Sequence, residues 1–219
     1  MVIKLIKYIM KGMIFLSFVI GYVSTKMAAI ASDGRCCYTD GTIKTEFYNK
    51  TRKINNNVII GYSGSTKACE KILSQLQLAL EQIQKNGMRE PYVNEVAACI
   101  HAIIPMFNFP KEHKVQFIIS GISNNKEMQL YTFGNTNQTD FIPLIATEKE
   151  IQIAALCSSK SNEAGCKIFK NHLINDPFVQ HTPIDDIFKA SIEEMADLDP
   201  TVNRNCFSQV IFPISERKI

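Results

Sequence analysis

The sequence lacks most of the marks that point to a ligand. There is no CxxC pair, and the four histidines, His101, His113, His172 and His181, have no ligand spacing. A structural zinc site therefore has no basis, and no metal or cofactor is expected. No run of arginine and lysine with interleaved aromatics occurs, and the formal net charge is only +3. Lys4, Lys7, Lys11 and Lys26 lie in or beside the N-terminal segment, so the remainder is near neutral. The electrostatic footprint of a nucleic-acid-binding protein is missing. The apolar run Gly12 to Val23 is shorter than the about 20 residues of a membrane-spanning helix. No linker, internal repeat or low-complexity tract divides the chain, and one domain is the expectation at 219 residues.

Seven cysteines (Cys36, Cys37, Cys69, Cys99, Cys157, Cys166, Cys206) form no recognisable disulfide framework. Most sit in apolar runs, where a free thiol behaves as a small hydrophobe. The body reads as reduced and intracellular, and a cytoplasmic location is expected (with the nucleus added in a eukaryote). Sequons at Asn49 and Asn137 matter only under the alternative, in which the leader is a secretory signal.

Hydrophobic residues make up 46% of the chain and charged residues 21%, enough for a sizeable core. Met1 to Lys11 is basic and apolar, and the following residues to Val23 are almost wholly apolar. Residues 1–24 read as a leader, propeptide or signal-like, and 25–219 as the domain. Met27 to Ala31 and Arg35 to Tyr38 read as a hairpin of buried strands, with turn signals at Ser32-Asp33-Gly34 and Thr39-Asp40-Gly41. Val58 to Tyr62 is a further apolar strand. Ile72, Leu73, Leu76, Leu80 and Ile83 repeat at three and four, which predicts a helix from about Thr66 to Lys85. A second helix, nearly apolar all round, is predicted over Val93 to Ile104. Strands follow at Val115 to Ile122, Met128 to Phe133 and Ile151 to Leu156. Helices come next at about Asn162 to Ile174 and Ile184 to Met195, and a strand at Cys206 to Ile214. Two sheets between two helical layers would bury every apolar face in this order. The expected class is α+β, a four-layer αββα sandwich.

Several local sequences strengthen that expectation. A threonine opens a strand at Thr25-Lys26-Met27-Ala28-Ala29-Ile30, and Asp33-Gly34 follows. Asp40-Gly41 comes next, then Arg52-Lys53-Ile54, then "VIIGYSGS" from Val58 to Ser65, just before the first long helix. In this order the pieces resemble the proteasome β-subunit family and the peptidase of the bacterial two-component ATP-dependent protease.

The resemblance implies an N-terminal-nucleophile fold and a threonine-type endopeptidase. Removal of the leader after Ser24 would make Thr25 both nucleophile and, through its α-amino group, base. Lys53 would lower the hydroxyl's pKa, Asp40 would hold Lys53, and the Gly64 N–H would form the oxyanion hole. The implied partners are like or homologous subunits in a ring, an unfolded polypeptide as substrate, and a regulatory ATPase.

Each residue also has a plain reading. Thr25 can open a strand, Lys53 can be a solvated lysine, Asp40-Gly41 is a common hairpin turn, and Gly64 permits a tight turn. The family's glycine before the nucleophile is replaced by Ser24. Its later Ser-Gly pair is echoed only by Cys157-Ser158-Ser159, and Asp199 or Thr201 stands near its last aspartate. These departures support a second expectation, a non-catalytic structural subunit of such a ring.

Overall fold

The computed structural model describes residues 17–38, 40–110, 113–135, 141–157, 162–175 and 182–213. Ser158, Ser159, His181 and the Asn137 sequon lie outside the described residues.

In chain order the strands are β1 (Phe18–Ser24), β2 (Met27–Asp33), β3 (Cys36–Cys37), β4 (Ile43–Thr45), β5 (Thr51–Lys53) and β6 (Val58–Gly64). Helices α1 (Thr66–Lys85) and α2 (Val93–Ile103) follow, the second running into a 3-10 turn at Ile104–Met106. Then come β7 (Val115–Ile122), β8 (Met128–Gly134), β9 (Leu144–Ile145) and β10 (Gln152–Cys157). Helices α3 (Asn162–Asn175) and α4 (Ile184–Leu198) and strand β11 (Cys206–Ile211) complete the described chain.

Among the described residues two large antiparallel sheets form, one ordered β10-β1-β2-β11 and the other β5-β6-β7-β8-β9, beside a two-stranded β3-β4 pair. Strand periodicity sorts the apolar residues. On β6, Val58, Ile60 and Tyr62 pack against α1 and α2, while Ile59 faces the other sheet. On β2, Ala29 and Ala31 pack with Phe169 and Phe188 of α3 and α4, while Ala28 and Ile30 face inward. The layers are therefore helix, sheet, sheet, helix, as the element order led us to expect.

Two features depart from the sequence reading. Residues Phe18 to Val23, read there as the end of a leader, form a buried strand inside the first sheet, paired with β10 and β2. The expected pairing of Met27–Ala31 with Arg35–Tyr38 does not form. Strand β2 lies between β1 and β11, and Cys36–Cys37 pairs with Ile43–Thr45 instead. Thr25 and Lys26 are the two-residue loop of the β1–β2 hairpin, with Ser24 opposite Met27. The Ser24 hydroxyl accepts from the N–H groups of Lys26 (3.3 Å) and Met27 (3.2 Å). Such short loops suit the twist of antiparallel strands.

The apolar surface of α2 is absorbed within the chain. Val93, Val96, Ala97, Ile100 and Ile103 are buried between the sheet and α1, and the outward face carries Ala98, His101 and Ala102. Among the described residues, no helix is long and apolar enough to cross a membrane.

The two sheets meet closely at Gly61 on β6. A Cβ there would lie 2.7 Å from both Ile30 Cγ2 and Val19 Cγ1. Both atoms belong to β-branched side chains with little χ1 freedom, so neither yields easily. We expect Gly61→Ala to destabilise the fold by about 1–3 kcal/mol, read as a lower urea midpoint; an unchanged midpoint would show that the sheets separate without cost.

Candidate active site

The last residue of β2, Asp33, is completely buried, and so is Lys50 just before β5. Their side chains meet: Lys50 Nζ lies 2.7 Å from Asp33 Oδ1. The pair spans the two sheets, because β2 belongs to one and the segment of β5 to the other. Burying two ions is tolerated only when hydrogen bonds satisfy their remaining valences. Asp33 has them. Oδ1 also accepts from the Phe18 N–H at 2.8 Å, and Oδ2 accepts from the Arg35 N–H at 2.9 Å. The carboxylate is thus tied to the first residue of β1, and Ser17, only 2% exposed, immediately precedes that residue. A serine, an aspartate and a lysine are brought to one end of the sheet interface.

The register extends the site along the second sheet. Thr51 pairs with Gly61, and the Tyr62 N–H donates to the Lys50 carbonyl, so Lys50 and Tyr62 are cross-strand neighbours. Two residues beyond Tyr62, β6 ends at Gly64 with φ +104°. A Cβ there would lie 2.2 Å from the Lys114 carbonyl oxygen, so only glycine fits. Ser65 then caps α1, its hydroxyl accepting from the Ala68 N–H.

Beside Lys50 stands a polar wall. Glu70 of α1 accepts from the Tyr48 hydroxyl at 2.7 Å, from the Tyr62 hydroxyl, and from Arg52 Nη2 at 3.1 Å. Burial pushes the Tyr48 phenol up to about 12, and burial with the bond to Glu70 raises Tyr62 as well. Both phenols therefore stay protonated and donate at any physiological pH. A cleft of about 480 Å³ on the outer side of α1, lined by Lys67, Glu70, Lys71, Ser74, Gln75 and Phe107, includes none of Ser17, Asp33, Lys50 or Gly64.

Of the four residues singled out from the sequence, only Gly64 lies beside this centre. Thr25 is an exposed loop residue, at the opposite end of β2 from Asp33. Asp40 is fully exposed in its own turn, where it accepts from the Thr42 N–H (2.9 Å) and hydroxyl (2.7 Å). Those two bonds lower its pKa. Lys53 is exposed on β5. The aspartate and lysine that do meet are their near neighbours Asp33 and Lys50, and Ser17 was hidden inside the apparent leader. Burial is what separates the two sets.

Elsewhere the described cysteines are free, and burial raises the Cys37, Cys157 and Cys206 thiols, the last two to about 12. Such thiols are poor nucleophiles. Asp199, buried after α4, accepts from the Thr201 N–H at 2.9 Å and from its hydroxyl at 2.5 Å. Among the described residues, no group of three or more His, Cys, Asp or Glu could hold a metal ion.

The family model for proteasome subunits matches residues 17–139, more than half of the chain. The chain belongs to the proteasome subunit family. The match opens at Ser17, the residue that the Asp33 bond to Phe18 brings to the centre. In fold, the chain is similar to a eukaryotic HslV from Trypanosoma brucei, with a TM-score of 0.56 at 14% identity. That similarity covers 89% of this chain and 99% of the other. No curated protein matches it by sequence.

The two lysines provide a direct contrast. Lys50→Ala leaves the Asp33 carboxylate buried without its counter-ion, so we expect a loss of about 3–5 kcal/mol in urea unfolding. Lys53→Ala should stay within about 0.5 kcal/mol. Equal effects would refute the assignment of the buried pair.

Proposed function

We propose that this chain is a proteasome-type peptidase subunit whose nucleophile is the hydroxyl of Ser17, made N-terminal by cleavage after Leu16. The observation that carries this reading is the buried Asp33–Lys50 pair hydrogen-bonded to the N–H of Phe18. It fixes a charged lysine next to the residue at which the family match begins.

The chemistry follows from that arrangement. A serine hydroxyl is a weak nucleophile at neutral pH and needs a base within reach. An N-terminal serine carries one, its own α-amino group, with an ordinary pKa near 8. As the hydroxyl oxygen attacks the substrate carbonyl, its proton passes to that amine. The positive charge of Lys50 favours the developing alkoxide, and Asp33 holds Lys50 in place. The Gly64 N–H faces the carbonyl oxygen as it becomes an oxyanion. Collapse expels the substrate amine, which takes up the proton, and leaves an acyl ester on Ser17. Water then hydrolyses the ester, with the α-amino group again taking the proton.

Thr25 is a poor candidate for the same role. Cleavage before it would release β1 from between β10 and β2 and remove the N–H that Asp33 uses. The remainder of the reading follows the family: like or homologous subunits in a ring, an unfolded polypeptide as substrate, a regulatory ATPase as partner, and a cytoplasmic location.

Hydrolysis of fluorescein-labelled casein, an unstructured protein, tests the assignment. Ser17→Ala should lower the rate by more than about a thousandfold, and Thr25→Ala should leave it within about twofold. Full activity in Ser17→Ala overturns the reading. A parent protein without activity that keeps residues 1–16 supports a non-catalytic subunit instead.

A further inference from the structure

The Asp33–Lys50 pair joins two segments that have no strand pairing with each other, and Gly34 helps to tie them through both of its backbone polar groups. The Gly34 carbonyl accepts from the Tyr48 N–H at 2.8 Å, two residues before Lys50. The Gly34 N–H donates to Asn203 Oδ1, also at 2.8 Å. Asn203 is buried, and its amide is used at both ends. Nδ2 donates to the Glu46 carbonyl at 2.7 Å and to the Glu46 carboxylate. That carboxylate is held from its other side by Arg35 at 3.0 to 3.2 Å, and Arg35 reaches on to the Pro200 carbonyl. There is no slack around Gly34: a Cβ would lie 2.4 Å from the Glu46 carbonyl oxygen and 2.9 Å from the Phe207 ring.

We propose that Asn203 is a positioning residue for the Ser17 centre, its amide locking the turn that carries Asp33 to the segment that carries Lys50. The inference rests on the peptidase reading above. Asn203 does not touch the reacting atoms. It acts through Gly34, whose two bonds fix where the Asp33 carboxylate and the Lys50 ammonium stand relative to each other. Only an amide meets the requirement, because one edge must accept from Gly34 while the other donates to Glu46.

Asn203→Asp keeps the shape and the acceptor but turns a second oxygen onto the Glu46 carboxylate. Two carboxylates in contact hold one proton between them, with a raised pKa. Above that pKa they repel and the lock opens; below it the shared proton restores the missing donor. Arg35, Lys50 and the Cys37 thiol are the other titratable groups that act on this place. They are the same in parent and variant, so the ratio of the two rates isolates the new carboxyl.

The experiment measures fluorescein-casein hydrolysis by parent and variant across pH 5 to 9. At about pH 8 the variant's kcat should be roughly a tenth of the parent's, with KM within about twofold. The ratio should climb towards one as the pH falls to about 5. Adding Glu46→Gln supplies the donor from the other side and should flatten the ratio near one. A variant with parental kcat at every pH, alongside an inactive Ser17→Ala, overturns the inference and leaves the peptidase reading standing. If Asn203→Asp fails to fold, the double variant decides: parental kcat supports the lock, and a folded but slow enzyme overturns it. A parent with no activity overturns both.

Discussion

A charged pair buried between two sheets is a demanding thing for a fold to contain. Taking Asp33 and Lys50 out of water costs several kcal/mol per ion, and their attraction offsets this only with good geometry and every remaining valence filled. The N–H groups of Phe18 and Arg35 fill those of Asp33. Satisfying one carboxylate therefore dictates where β1 begins, how the chain leaves β2, and where the segment before β5 crosses to the other sheet. Much of the site's geometry is a consequence of keeping that carboxylate satisfied.

The same constraint explains why a small set of residues gathers from distant parts of the sequence. Tyr62 is placed opposite Lys50 by register, and Gly64 follows two residues later with a backbone that admits no side chain. The Glu46–Asn203 contacts draw in the loop before β11, from the far end of the chain. Close sheet packing at Gly61 keeps the interface narrow, so the pair remains dry and its electrostatics strong.

The helices and the layering were legible because α1 carries a clean three-and-four repeat and β6 a bounded apolar run. The position of Gly64, at the end of that run and just before a helix cap, was legible for the same reason. Strand β1 was not. Its residues are buried on both faces, so it reads as a continuous apolar stretch without alternation, and next to basic residues that stretch looks like a leader. The site residues were ambiguous for a different reason. The sequence offers two Asp-Gly pairs, at Asp33 and Asp40, and two lysines three apart, at Lys50 and Lys53. Local pattern cannot rank them. The difference is burial and pairing across sheets, which only the tertiary structure supplies.

The central claim is that the working chain begins at Ser17, with a free α-amino group beside the Asp33–Lys50 pair. The most direct measurement is the intact mass of the mature protein, with sequencing of its N-terminal peptide. The account predicts a first residue of Ser17. A mature chain that begins at Thr25, or one that is active with Leu16 still attached, would contradict it.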